Sequence, residues 1–117
     1  MSRIKAFRFK WVDSWYNVDC GYDAILETSD KGDISILILI NAKPYKIPLK
    51  EREDEFIEDM KFLKHWDSTF YFCNSLLADG TYWALQYAYD DVSICAQGHE
   101  GYPKKFLEFL NILHQKI

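Results

Sequence analysis

Residues 79–97 read DGTYWALQYAYDDVSICAQ and predict two neighbouring strands joined by a turn. Within residues 81–89, large apolar or aromatic side chains alternate with small or polar ones, which is the period of a strand with one buried face. Asp90 and Asp91 follow as a turn, because aspartate is favoured where the chain reverses. We therefore expect strands over residues 81–89 and 92–97.

The rest of the sheet is predicted from the same alternation. Strands are expected over residues 4–12, 22–28, 33–40 and 68–74, and the last of these would form a meander with the two strands that follow it. Residues 29–32, Ser-Asp-Lys-Gly, predict a hairpin turn. Because residues 34–40 are apolar on both faces, we expect a central strand that is covered at least in part on both sides. Tyr45–Ile47, between Pro44 and Pro48, predicts a short edge strand.

Two segments have helical periodicity. Residues 50–64 place apolar side chains on one stripe and concentrate acids in the first turns, where carboxylates stabilise the positive end of the helix dipole. A second helix is expected to begin at Pro103, since proline suits the first helical position. Its apolar stripe consists of Phe106, Phe109, Leu110, Leu113 and Ile117. We predict a single α+β domain over residues 1–117, with about six mainly antiparallel strands and two amphipathic helices packed on the sheet.

Charge is unevenly distributed along the chain. The net charge is −4, but the charged residues of segment 1–12 are all cations. Residues 65–103, in contrast, contain five acids and no lysine or arginine. The acidic half would repel nucleic acid, so we expect no nucleic-acid partner. The cations of the first strand, among them Arg8 and Lys10, are interpreted as solvation and edge protection.

The cysteines and the apolar runs bear on the compartment. The chain has three cysteines at wide spacing, which is neither a disulfide framework nor a zinc pattern. The N-terminus has no apolar block of signal-peptide length, and Ile36–Ile40 is too short to cross a bilayer. We therefore expect a cytoplasmic protein with no membrane association.

No catalytic, cofactor or metal motif stands out. A Cys–His nucleophile pair is conceivable, but no activating motif accompanies it. The cysteines are Cys20, Cys73 and Cys95, and the histidines are His65, His99 and His114. We interpret Asp90 and Asp91 as a turn and not as an acid–base pair, because adjacent aspartates between two strands are typical of turns. The glycines form no phosphate-binding series. We expect no enzyme, no cofactor and no metal site.

A resemblance rests on Asp79-Gly80-x-x-Trp83, Gly98 and Tyr102-Pro103-x-x-Phe106, followed by an amphipathic helix. Over residues 79–113 the chain resembles a group of small bacterial proteins, some of which are similar to immunity proteins of bacterial toxin systems. Such proteins are small, often acidic α+β domains that bind and neutralise one toxin. The resemblance implies a stoichiometric protein-binding inhibitor and transfers no catalytic residue.

The candidate partner surface consists of acids and aromatic rings. Exposed aromatics among carboxylates suit a basic protein partner, because rings anchor an interface and charge speeds encounter. The acids are expected to face a toxin with a basic surface, and the rings are expected to anchor it. The acids are Glu51, Asp54, Glu55, Glu58, Asp59, Asp90, Asp91 and Glu100, and the rings are Trp66, Tyr82 and Tyr89.

Two alternatives stay open from the sequence. The chain could be a small-ligand-binding or enzymatic domain with an apolar pocket between sheet and helix, lined by Trp83, Tyr87 and Phe106. It could also be an acidic antagonist of nucleic-acid machinery that presents carboxylates as phosphate mimics. A solved pocket would favour the first alternative, and competition with nucleic acid for a target would favour the second.

Overall fold

The computed structural model describes residues 3–13, 20–67, 70–72, 81–99 and 101–116. These residues form a sheet of seven strands with helices on one face, which confirms the predicted α+β class. In chain order the elements are β1 (Ile4–Asp13), β2 (Cys20–Thr28), β3 (Ile34–Ile40), β4 (Lys43–Pro48), α1 (Glu53–Asp59), a 3-10 helix (Lys61–Trp66), β5 (Phe70–Phe72), β6 (Thr81–Tyr89), β7 (Val92–His99) and α2 (Phe106–Lys116).

The strand order is β4-β3-β2-β1-β6-β7-β5, and every pair of neighbours from β4 to β7 is antiparallel. The edge strand β5 pairs parallel with β7 and does not pair with β6. The predicted meander of residues 68–97 is therefore wrong in its first strand. Residues 68, 69, 73 and 74 of that predicted strand lie outside the described residues, as do Asp79 and Gly80.

The core lies between the sheet and its helices, as the alternation of β1 and β6 requires. Phe7 is the clearest example, because its ring centroid lies 5.6 Å from that of Phe56 in α1, 5.7 Å from that of Tyr87 in β6 and 6.4 Å from that of Phe109 in α2. Such aromatic pairs contribute about 0.5–1.5 kcal/mol each beyond the area that they bury. One cluster of rings thus joins the sheet to both helices.

The opposite face of the sheet carries polar and partly exposed side chains, and no described helix packs on it. Arg8 on this face forms an ion pair of 3.1 Å with Asp23 of β2. Because β1 lies in the middle of the sheet, between β2 and β6, its cations do not protect an edge. The predicted edge-protection role of Arg8 and Lys10 is therefore wrong, and they lie on an open face.

The predicted β2–β3 hairpin is confirmed. Its turn is held by Ser29, whose carbonyl oxygen accepts a hydrogen bond of 2.9 Å from the Gly32 N–H and whose hydroxyl accepts one of 3.1 Å from the Asp33 N–H. Gly32 has a φ of 87°, a conformation that costs glycine little because it has no Cβ. The turn therefore forms where the sequence places its glycine.

The strand β3 lies between β2 and β4, one strand from the edge of the sheet, and not at its centre. Ile36 and Ile38 are fully buried on the core face, whereas Leu37 and Leu39 on the other face are only partly buried. The predicted edge strand is confirmed as β4. The Leu49 N–H donates to the Ile34 carbonyl oxygen next to β3. Because successive backbone nitrogens of a strand point to opposite sides, the nitrogens of Pro44 and Pro48 lie on the outer side of β4, away from β3. The outer edge of β4 therefore has few donors for another strand to pair with.

The helix predicted over residues 50–64 is divided in two. Glu51 has a φ of 62°, which a right-handed helix cannot contain, so α1 begins at Glu53. Beyond α1, the chain continues as the 3-10 helix, which buries Leu63 and Trp66 on one side because residues three apart eclipse in that geometry. The acids of the first turn of α1 lie where they were predicted.

The second helix is confirmed but begins later than predicted. Lys105 has a φ of 68°, so the chain enters the helix only at Phe106, and Pro103 lies in the connection before it. The predicted stripe is buried as far as the structure describes it, at Phe106, Phe109, Leu110 and Leu113. Ile117 lies outside the described residues.

Candidate functional site

The acids predicted on the first helix lie on the outward side of α1 and the turn before it. Glu51, Asp54, Glu55, Glu58 and Asp59 are all exposed. They are partly compensated by cations that the sequence did not connect with them. Lys61 bonds Glu58 at 2.8 Å, and Arg52 approaches Glu55 at 3.5 Å. Between the two helices, Lys116 of α2 bonds Asp59 at 2.8 Å and approaches Glu55 at 3.7 Å.

One of these carboxylates, Glu58, changes the pKa of the lysine beside it. The hydrogen bond from Lys61 to Glu58, together with the attraction between their charges, raises the pKa of the Lys61 ammonium. Both side chains are largely solvent-exposed, so the pair is screened by salt and contributes little to folding. The pair can therefore open at low cost when another charge approaches.

The turn Asp90–Asp91 lies at the same end of the sheet as the start of α1. Two successive backbone groups of β1 join them, because Arg3 donates its N–H to Asp90 Oδ1 at 2.8 Å and Ile4 donates its N–H to Glu53 Oε2 at 2.8 Å. The structure thus brings two acidic segments together that are far apart in sequence. We call the exposed acids of this end, Glu51, Asp54, Glu55, Glu58, Asp59, Asp90 and Asp91, the acidic surface.

The predicted aromatic anchors do not join the acidic surface. Trp66 is 2 % exposed and Tyr89 is 7 % exposed, because the 3-10 helix turns Trp66 toward the sheet and the alternation of β6 turns Tyr89 toward the helices. Both expectations of an exposed ring are therefore wrong. Tyr82 is 39 % exposed but lies on the open face of the sheet, at the opposite end of β6 from Asp90. Glu100 lies outside the described residues.

The predicted ligand pocket between sheet and helix is also corrected. Trp83 and Tyr87 are fully buried, and the Trp83 ring lies 5.4 Å from that of Phe106 between centroids. Trp83 and Tyr87 therefore fill the core and do not form the walls of an open pocket. Phe106 does line a groove, but with other neighbours, which include Trp11 and Tyr102.

The structure separates Cys95 from His99, whereas Cys73 and the side chain of Cys20 lie outside the described residues. Cys95 and His99 both lie on β7, four residues apart, and so are separated by about 13 Å along the strand. Burial raises the pKa of the Tyr22 and Tyr87 hydroxyls, which stay neutral at ordinary pH and so do not act as bases. In the part of the chain that the structure describes, no three histidine, cysteine or carboxylate side chains lie close enough to hold a metal ion.

Sequence reasoning missed the groove at the start of α2. Its most exposed apolar member, Leu107, is 73 % exposed. The helical spacing could have indicated it, because Leu107 does not share the buried face of α2 with Phe106, Phe109 and Leu110. A large apolar residue on the outer face of an amphipathic helix indicates a contact with something outside the fold.

Comparison of the chain with protein-family models, curated proteins and solved structures found no match. The resemblance of residues 79–113 to immunity proteins therefore stays a prediction. Within the described segments, no helix has the length and apolar character that crossing a membrane would require.

Proposed function

We propose that this protein binds another protein stoichiometrically and neutralises it, in the manner of the immunity proteins of bacterial toxin systems. The observation that carries the proposal is the acidic surface, on which the α1 acids and the Asp90–Asp91 turn come together through the start of β1. Binding, and not turnover, is the proposed mechanism. The described side chains offer charge and shape at the surface.

The partner that this surface fits is a toxin with a basic surface. Charge complementarity steers association and selects partners more than it adds affinity. Within the described residues, Glu51 and Asp91 make no ion pair, so their full charge is available to a partner. Glu58 is held only by an exposed lysine and can exchange it for a partner's cation.

We place the protein in the cytoplasm, where a toxin must be neutralised before it acts on the cell that makes it. The three widely spaced cysteines fit a reducing compartment. Cys95 is unpaired and exposed. An exposed thiol is stable in a reduced state there and prone to oxidation outside the cell.

The test starts from the reading frame that adjoins this gene. Expressed alone in a bacterial host, its product should arrest growth, and co-expression of this protein should restore growth through a one-to-one complex of the purified proteins. Normal growth, or rescue without a complex, would contradict the proposal. If nucleic acid competes with this protein for the target, the acidic-antagonist alternative is favoured instead.

The acidic surface is tested by charge reversal in the same complex. Glu51→Lys combined with Asp91→Lys should lower the association rate constant about tenfold at low salt and flatten its salt dependence. Asp91→Lys alone is then compared with Glu27→Lys, a control with the same change in charge, because Glu27 lies in β2 on the open face and its ion pair with Lys46 is long, at 3.9 Å. Equal effects of the two reversals would show that net charge, and not this surface, guides association.

A further inference from the structure

The connection between β7 and α2 forms one wall of a groove with a volume of about 610 Å3. This volume lies within the range of about 300–1,000 Å3 that is typical of sites that bind organic groups. The groove is lined by apolar side chains from the end of β1, the connection and the first turn of α2, namely Trp11, Tyr102, Pro103, Phe106 and Leu107. Lys105 and Glu108 complete the lining.

Two of the apolar lining residues are unusually exposed. Leu107 is 73 % exposed and Tyr102 is 42 % exposed, although Phe106 between them is buried. Full burial of a leucine side chain is worth about 1.5–3 kcal/mol, which this fold does not gain at Leu107. An occupant of the groove would gain most of it.

The groove wall is fixed by hydrogen bonds from two buried indoles. Trp83 Nε1–H donates to the Gly101 carbonyl oxygen at 2.7 Å, and Trp66 Nε1–H donates to the Lys104 carbonyl oxygen at 3.1 Å. These bonds hold both ends of the connection against the core. A wall that is ordered before binding loses little entropy on binding, which favours affinity.

The backbone is strained at Lys105, which lies between the connection and α2. Lys105 has a φ of 68°, a left-handed conformation that costs a side-chain-bearing residue of order 1 kcal/mol. Lys105 also provides the carbonyl oxygen that the Phe109 N–H bonds at 2.9 Å as α2 begins. The strained residue therefore sets where the helix starts and, with it, the position of Leu107.

The charges of the groove are available to an occupant. Lys105 and Glu108 are three residues apart, yet they do not pair with each other or with any other charged residue that the structure describes. The Lys105 ammonium lies 5.8 Å from the centroid of the Phe62 ring. The groove thus offers an apolar floor with one unpaired cation and one unpaired anion.

We infer that this groove binds a segment of a partner protein in which a large apolar side chain, such as leucine or phenylalanine, lies between an acidic and a basic residue. The apolar side chain packs on Tyr102 and Leu107, the acidic residue pairs with Lys105 and the basic residue pairs with Glu108. An apolar centre within a polar rim is the usual anatomy of a binding hot spot. The inference rests on the proposed function only in supplying the natural partner.

The experiment selects peptides from a random library displayed on phage against the immobilised full-length protein. Selected peptides should share a large apolar residue flanked by charges of opposite sign, and Leu107→Asp should weaken their binding at least tenfold. Ile25→Asp is the matched control, because Ile25 is 39 % exposed on the open face of the sheet. Urea unfolding of each variant shows whether it is folded. Peptides without this pattern, or equal losses in the two variants, would overturn the inference.

A charge swap makes the test independent of the stability of the Leu107 variant. Lys105→Glu combined with Glu108→Lys should select peptides with the reverse order of flanking charges, since the two sites exchange sign while the apolar floor stays the same. An unchanged charge order would also overturn the inference. Because the selection needs no toxin, its outcome is separate from the growth assay: peptides with the expected pattern support the groove even if the adjoining gene product proves harmless.

Discussion

Trp83 and Gly98 act as one packing unit. The Trp83 indole lies against the backbone of β7 at Gly98 while its Nε1–H reaches the Gly101 carbonyl oxygen. A Cβ on residue 98 would overlap both the indole nitrogen and that oxygen, so only glycine fits. Trp83 and Gly98, two of the residues on which the predicted resemblance rests, thus have a structural role here. They position the connection that leads to α2.

Gly98→Ala should destabilise the protein by about 3 kcal/mol, because the added methyl group overpacks the core and displaces a buried hydrogen bond. The loss is measured by urea unfolding followed by tryptophan fluorescence. Gly21→Ala is the matched control, since the nearest atom to its added Cβ would be the Trp11 carbonyl oxygen at an ordinary 3.7 Å. If both substitutions changed the unfolding midpoint equally, the close fit at Gly98 would not matter to stability.

The sequence predicted single residues well where a local pattern determines their direction. Trp83 and Phe106 were expected in the core and are there, because strand alternation and the helical stripe both turn them inward. Trp66 was expected at the surface, since its direction depends on a 3-10 helix that the periodicity of residues 50–64 did not show. Its spacing of three from Leu63, which is also buried, was the signal that could have placed it inside.

Elements were predictable in proportion to how local their causes are. The antiparallel strands and the β2–β3 turn follow from alternation and turn residues within a few positions. The parallel pairing of β5 with β7 has no such local cause, because it joins residues 70–72 to residues 97–99, and β6 lies between these segments in the sequence. The late start of α2 depends on the positive φ of a lysine, which composition does not indicate.

The two helices are tied by Lys116, whose side chain is only 10 % exposed. Its ammonium lies 2.8 Å from the Asp59 carboxylate and 3.7 Å from that of Glu55, so the end of α2 bonds the outer side of α1. No local sequence pattern indicates this contact, since the two segments are more than fifty residues apart. It also limits how much charge the acidic surface can offer a partner.

Lys116→Met should destabilise the protein by about 1 kcal/mol, because two carboxylates lose a largely desolvated partner while the apolar stem is kept. The free energy of unfolding is measured in urea at low and high salt. The difference in this free energy between the variant and the native chain should shrink as salt rises. Lys61→Met removes an equally short pair that is exposed, and should have little effect. A loss as large in Lys61→Met as in Lys116→Met would show that burial of the lysine is not what makes the contact stabilising.

At the scale of the whole molecule, the two surfaces lie at opposite ends of the helical layer. The acidic surface adjoins Tyr89 and the start of β1, whereas the groove adjoins Trp83 and the end of β1, which places them about 20 Å apart along β6. The sequence predicted most residues of the first surface because acids are recognisable one by one. It missed the second because a groove exists only once β1, the connection and α2 are assembled.

Because the surfaces are separate, we expect them to act on different steps of binding to the proposed toxin partner. Asp91→Lys should lower the association rate constant several-fold in a salt-dependent way, since exposed charges act during encounter. Leu107→Asp should raise the dissociation rate constant about tenfold, since packed apolar contacts form only in the final complex. In the double variant the two changes in binding free energy should add within about 0.5 kcal/mol, as is usual for sites without shared partners. The rates are measured by surface plasmon resonance over a range of salt, with Glu27→Lys as the control for net charge. A coupling well above that value would show that the toxin does not contact the two ends independently, and would require a change of conformation that links them.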